Sequence, residues 1–206
     1  MATPALLDRD TDTDAPVRIL GIGGSTRAGS ITERVLKAVL GLAAEAGART
    51  TLASIRELDL PMYNDDVPSL EQPDVVHTLL ANVRAADGFI LASPTYHGTI
   101  SGALKNALDF LNVDNRVPRT YFDGRPVALV AFGGPSALNV VNALGHSVRG
   151  LRGMQVPTVV TAGWNAVDGE TATFTDDAAR TRADTMVGEL IRLARLLRDA
   201  EVNAKV

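Results

Sequence analysis

Two short stretches carry most of the side chains that could do chemistry in this 206-residue chain. Residues 23–30 read Gly-Gly-Ser-Thr-Arg-Ala-Gly-Ser. Their glycines let backbone N–H groups turn inward, Ser25, Thr26 and Ser30 add hydroxyls, and Arg27 adds a charge-assisted fork. A helix starting at Ser30 would add the positive end of its dipole. Together these describe a cradle for phosphate. Residues 93–101 read Ser-Pro-Thr-Tyr-His-Gly-Thr-Ile-Ser. Here a rigid Pro94, Thr95, a flat amphipathic Tyr96, a titratable His97 and a permissive Gly98 follow one another. They suit a flat, partly polar ring held against backbone.

Each stretch also has a plainer reading. Ser30 can simply cap a helix, Arg27 can be a surface residue, and Ser101 can cap the helix carrying a solvated Lys105/Asp109 pair. Three better-known motifs fail by counting. A dinucleotide fingerprint on Gly21 and Gly23 needs a third glycine at 26, where Thr26 stands. A P-loop begun at Gly24 reaches Gly29 but then meets Ser30 instead of lysine. A nucleophile elbow around Ser25 needs glycine at 27, which is Arg27. The remaining donor set suits a terminal monophosphate. A third, weaker stretch is Gly133-Gly134-Pro135-Ser136, which serves equally as a backbone wall beside a ligand or as a strand-to-helix turn with a serine cap.

The histidines, His77, His97 and His146, have no ligand spacing, so no metal site is expected. Only His97 lies in a candidate stretch, where a contact role is preferred to acid–base catalysis. Asp65-Asp66 and Asp176-Asp177 read as turn and cap. No carboxylate pair invites hydrolysis, and no catalytic side chain is assigned.

These stretches need elements to position them. Apolar runs predict strands over 17–23, 49–55, 88–92, 126–132 and 156–162. Helical stripes fall between them. One follows the capping-box spacing Ser30-Ile31-Thr32-Glu33, with Val35, Val39 and Leu42 inward and Gly47 at its end. Others span 74–86, 101–112 and 136–150, the last with Leu138, Val141, Leu144 and Val148 on one side. A final helix capped by Thr175 or Asp176 runs to about 199. Residues 56–73 and 112–124 read as loops, as do 163–174, which hold the single tryptophan, Trp164. Strands alternating with helices give an α/β, doubly wound, five-stranded parallel sheet. The candidate loops follow the first and third strands, where ligands bind in open α/β sheets.

Composition narrows the classes. Hydrophobic residues make up 46% and charged residues 21%, enough apolar side chains for a core. A net charge of −4 without a basic run argues against a nucleic-acid partner. No apolar span reaches membrane length, so no membrane partner is expected. Zero cysteines remove thiol, disulfide and iron–sulfur chemistry and fit a cytoplasmic location. Residues 1–15, with four aspartates and one arginine, read as a disordered acidic tail rather than a signal peptide. Residues 16–200 are expected to form one domain.

The order Pro94, Tyr96, Gly98, Ser101, Leu104, Lys105, Asn106, Leu108, Asp109 resembles the second flavin loop and helix of the flavodoxin-like NADPH-dependent FMN reductase family. The first loop resembles that family's Gly-Ser-x-Arg-x-x-Ser-x-Asn through Gly24, Ser25, Arg27 and Ser30, with Thr32 in place of the asparagine. The resemblance implies strand order 2-1-3-4-5 and FMN and NADPH as cofactors. Ser25, Thr26, Arg27, Ser30 and Thr32 would face the phosphate, Pro94, Thr95, Tyr96, His97 and Gly98 the ring, and Gly133 and Gly134 a wall beside it. It implies an NAD(P)H-dependent flavin oxidoreductase passing electrons to flavin, a quinone or an azo compound, assembled as a homodimer or homotetramer. Two other readings stand beside it, a non-catalytic flavin-binding electron carrier and a phosphate-binding hydrolase on the same fold.

Overall fold

The computed structural model describes residues 15–203. The expected tail, residues 1–15, lies outside them apart from its last position. Five parallel strands form one sheet in the order β2-β1-β3-β4-β5. They are β1 (Arg18–Gly23), β2 (Arg49–Ser54), β3 (Gly88–Pro94), β4 (Pro126–Phe132) and β5 (Met154–Ala162). The helices are α1 (Ile31–Glu45), the short α2 (Ile55–Leu58), α3 (Asp74–Ala85), α4 (Gly102–Asp109), α5 (Ala137–Gly150) and α6 (Asp177–Asn203).

The strands alternate their side chains between two apolar layers, as period-two geometry requires. Ile19, Ile90, Ala92, Ala128, Val130 and Val160 face α1 and α6. Leu20, Ile22, Phe89, Leu91, Val127, Leu129 and Ala131 face α3, α4 and α5. The chain thus leaves β1 on one face and β3 on the other. This is the topological switch that opens a crevice at the carboxyl edge between those two strands. The first and third candidate strands lie side by side there, with Gly23 paired to Ala92.

Several boundaries differ from the sequence reading. β3 runs two residues further, to Pro94, because Pro94 still registers with Phe132 of β4. The strand expected over 49–55 ends at Ser54 and α2 begins at Ile55, so the loop expected over 56–73 opens inside that helix and also holds a 3-10 turn at Ser69–Glu71. The helix expected from 101 tightens into a 3-10 turn at Phe110–Asn112. A 3-10 turn, Gly134–Ser136, precedes α5, and Ser136 makes no side-chain cap bond. Leu138 is exposed, not inward. The buried stripe of α5 is Ala137, Val140, Val141, Leu144 and Val148, which leaves Leu138 on its flank. Of the two caps considered for α6, Asp176 fills the role, accepting from the N–H groups of Ala178 and Ala179. No helix among the described residues is long and apolar enough to cross a membrane.

Candidate functional site

The loop after β1 is set by the start of α1. Ser30 has extended backbone, and its hydroxyl accepts the Glu33 N–H at 3.4 Å, so the helix begins where a capping serine places it. Ser25 folds back so that its Oγ accepts the Arg27 N–H at 3.3 Å. Among the described residues, the N–H groups of Ser25, Thr26, Ala28, Gly29 and Ser30 have no acceptor, and the exposed Arg27 guanidinium has no partner. Unspent donors at a helix N-terminus can hold an anion. Ser30 and Thr32 are both buried.

An acidic side chain stands close by. Glu33, in the first turn of α1, would oppose an anion, yet its carboxylate is already engaged. Ser54 donates to it at 2.8 Å and Lys37 pairs with it at 2.6 Å. Burial alone would raise the Glu33 pKa. The bonds from Lys37 and Ser54, with the charges of Lys37 and Arg56, outweigh burial and hold it below the usual 4.5.

The loop after β3 is a tight turn. Tyr96 and Thr99 exchange both backbone hydrogen bonds, at 3.0 and 3.1 Å. The two residues between them, His97 and Gly98, have φ of 51° and 78°. Positive φ at both central positions is the pattern of a type I′ turn, which explains why glycine follows the histidine. Below the turn, the buried Ser93 hydroxyl accepts the Ser101 N–H at 2.9 Å, and Ser101 in turn caps α4 at Leu104. Asn106 on α4 holds the segment after β2 with both ends of its amide. It donates to the Pro61 carbonyl at 2.7 Å and accepts the Tyr63 N–H at 2.8 Å. Asp65, expected only to shape a turn, accepts from the Tyr63 hydroxyl. Burial, and next this bond to Asp65, push the Tyr63 pKa upward.

The candidate residues converge. Ser25 Oγ lies 3.3 Å from the Tyr96 hydroxyl, joining the first loop to the second. Thr95 donates to the Phe132 carbonyl through both N–H and hydroxyl, at 2.7 and 2.8 Å, joining the second loop to the third. Tyr96 is half exposed and His97 exposed. Trp164 stacks edge-to-face on Phe132 with ring centroids 4.9 Å apart, so the loop after β5 reaches the same edge. His77 on α3 and His146 on α5 lie on other elements. Two arginines absent from the sequence reading also reach the first loop. Arg56 donates to the Thr26 carbonyl at 2.9 Å and Arg34 to the Gly29 carbonyl at 2.7 Å. Their one legible signal was position, Arg56 just past the carboxyl end of β2 and Arg34 four residues after the helix cap.

The model of a family described as NADPH-dependent FMN reductase matches residues 17–167. An NAD(P)H-dependent FMN reductase of Pseudomonas aeruginosa is 37% identical over 114 residues, 55% of this chain and 58% of that protein. The chain therefore spans less than two thirds of that relative's length. An FMN-dependent NADPH-azoreductase of Staphylococcus haemolyticus is 29% identical over 177 residues, 82% of this chain and 91% of the relative. Among solved structures, the flavoenzyme NAD(P)H:(acceptor) oxidoreductase FerB of Paracoccus denitrificans superposes with a TM-score of 0.72 at 20% identity, covering 86% of this chain and 97% of that one. That last likeness establishes the flavodoxin-like fold.

Proposed function

The chain belongs to the NADPH-dependent FMN reductase family, and from that premise we propose that it is an NAD(P)H-dependent flavin oxidoreductase holding FMN at the carboxyl edge of β1 and β3. The observation that carries this reading is the 3.3 Å approach of Ser25 to Tyr96. It brings together, at the switch point of the sheet, the loop we assign to the phosphate and the loop we assign to the ring.

The donor set fits the cofactor. The Arg27 guanidinium, unpaired among the described residues, the open N–H groups of Ser25, Thr26, Ala28, Gly29 and Ser30, and the hydroxyls of Ser25, Thr26 and Ser30 suit a terminal monophosphate. Thr32 stands where the family motif has asparagine and is buried, so it supports the helix start more than it reaches outward. The turn Thr95–Gly98 would receive the ring, with Pro94 fixing its entry, Tyr96 and His97 at its rim, and Gly133 and Gly134 forming the facing wall. FMN, when bound, supplies a two-electron relay between a nicotinamide and an acceptor such as flavin, a quinone or an azo compound. The protein's part is to bind, orient and set polarity, and no side chain is assigned a proton-transfer role. The reading extends to one domain over residues 16–200 preceded by an acidic tail, in a cytoplasmic homodimer or homotetramer. The absence of cysteine fits a reducing compartment.

The test is direct. Purified chain mixed with FMN should shift the flavin absorption bands, and NADPH added under air should be consumed. A flavin shift without NADPH consumption would instead support an electron carrier. No shift at all would reject the flavin reading.

A further inference from the structure

We propose that Arg34 and Arg56 are positioning residues for the phosphate loop, holding its peptide planes 26–27 and 29–30 in the orientation the cradle needs. This rests on the FMN reading of that loop. Across a planar trans peptide the C=O and N–H point in opposite directions. Anchoring a carbonyl oxygen therefore aims the N–H of the next residue the other way. Arg56 anchors the Thr26 carbonyl, which aims the N–H of Arg27 at Ser25 Oγ and so fixes that hydroxyl of the cradle. Arg34 anchors the Gly29 carbonyl, which aims the N–H of Ser30.

The two anchors come from opposite flanks. Arg56 lies in α2, just past β2. Arg34 lies in the first turns of α1, and its other terminal nitrogen is 3.1 Å from where a β-carbon on Gly169 would sit. One guanidinium thus reaches both the first loop and the loop after β5. Downstream of Arg56 the bonds continue in series. The Arg27 N–H donates to Ser25 Oγ, and that oxygen faces the Tyr96 hydroxyl. Bonds in series polarise one another, so Arg56 also tunes the contact between the phosphate loop and the ring loop. Both arginines donate to carbonyls that an anion would otherwise meet as negative dipoles.

A simpler role for Arg56 would be to screen Glu33, whose carboxylate lies beside the same loop. The two roles separate by experiment. The full chain and its R34A, R56A, R56K and R56A/E33Q variants are titrated with FMN and with riboflavin, and the apoproteins are melted. R34A and R56A should each weaken FMN about tenfold while changing riboflavin less than about twofold, because only FMN carries the phosphate. R56K keeps a donor and should recover most of the loss. R56A/E33Q should stay as weak as R56A. Equal loss for both flavins, no loss for either, or full recovery in R56A/E33Q would overturn the proposal. A wild-type chain that ignores FMN would instead overturn the FMN reading, and the proposal with it.

Discussion

The side chain of Thr95 occupies the space that a β-carbon on Gly133 would need, for such a carbon would fall 2.2 Å from Thr95 Oγ1. The loops after β3 and β4 therefore meet backbone against side chain, and two hydrogen bonds from Thr95 to the Phe132 carbonyl lock the contact. Gly133 also has φ of 145°, which side chains rarely adopt. Gly133→Ala should force the loops apart, lower stability by about 1–3 kcal/mol as overpacking does, and weaken FMN. Thermal melts of apo and FMN-loaded protein check this. An unchanged midpoint and unchanged affinity would show that the contact is not rigid.

Much of this site was legible because its residues sit in local patterns. The donor run over 23–30 and the Pro-x-Tyr-x-Gly turn each advertise their own backbone. The five strands and their alternation also followed from apolar periodicity. What escaped depends on neighbours distant in sequence. Arg56 reads as an ordinary surface charge until β2 is set beside β1. Gly133 looks like a turn glycine until Thr95 is packed against it. Leu138 failed for a different reason, since helical spacing fits two overlapping stripes and packing chose the one through Ala137 and Val140.

Gly98 should tolerate asparagine but not valine. Its φ of 78° follows the 51° of His97, and asparagine adopts the left-handed region far more readily than a β-branched residue. Gly98→Val should cost about 1–2 kcal/mol of turn stability and lose flavin affinity. Gly98→Asn should retain both. Titration with FMN, followed by quenching of the single tryptophan, Trp164, distinguishes the variants. Equal flavin affinity in Gly98→Val and wild type would refute the turn's role.

Arg27 is the exposed cation of the first loop with no partner among the described residues. Its removal therefore breaks no bond among the described residues. Arg27→Ala should leave the apo melt unchanged and weaken FMN by about 1.5–3 kcal/mol, the worth of a hydrogen bond to a charged group. Riboflavin, lacking the phosphate, should bind as before. Parallel loss of both ligands would place Arg27 against the ring.

Glu33 gives the site a pH signature. Its folded-state pKa lies below the usual 4.5, so the group binds its proton less readily when folded than when unfolded. The stability it contributes is present above the unfolded value and is lost as pH falls through the folded one. Acid titration of the melting midpoint should therefore steepen below about pH 4.5, and Glu33→Gln should flatten that limb. Identical acid limbs in the two proteins would mean that Lys37 and Ser54 contribute nothing net through Glu33.

The last prediction concerns β5, an outer strand of the sheet. Its ladder with β4 breaks between Val127 and Leu129, where Gln155 and Val159 are the partners, so β5 carries two extra residues around Pro157. Irregular backbone at an outer strand exposes donors and acceptors that invite pairing with another chain. Here α6 covers them. Glu189 accepts the Thr158 N–H at 2.8 Å and the Thr158 hydroxyl at 2.9 Å, and Arg182 donates to the Val159 carbonyl at 2.7 Å. These two residues, seven positions apart and so on one helix face, occupy the hydrogen bonds a neighbouring strand would seek. The R182A/E189A variant should lower the melting midpoint and, on heating, scatter light at lower temperature and in a concentration-dependent way. A variant whose midpoint and scattering onset both match wild type would show that the bulge and Pro157 protect the edge unaided.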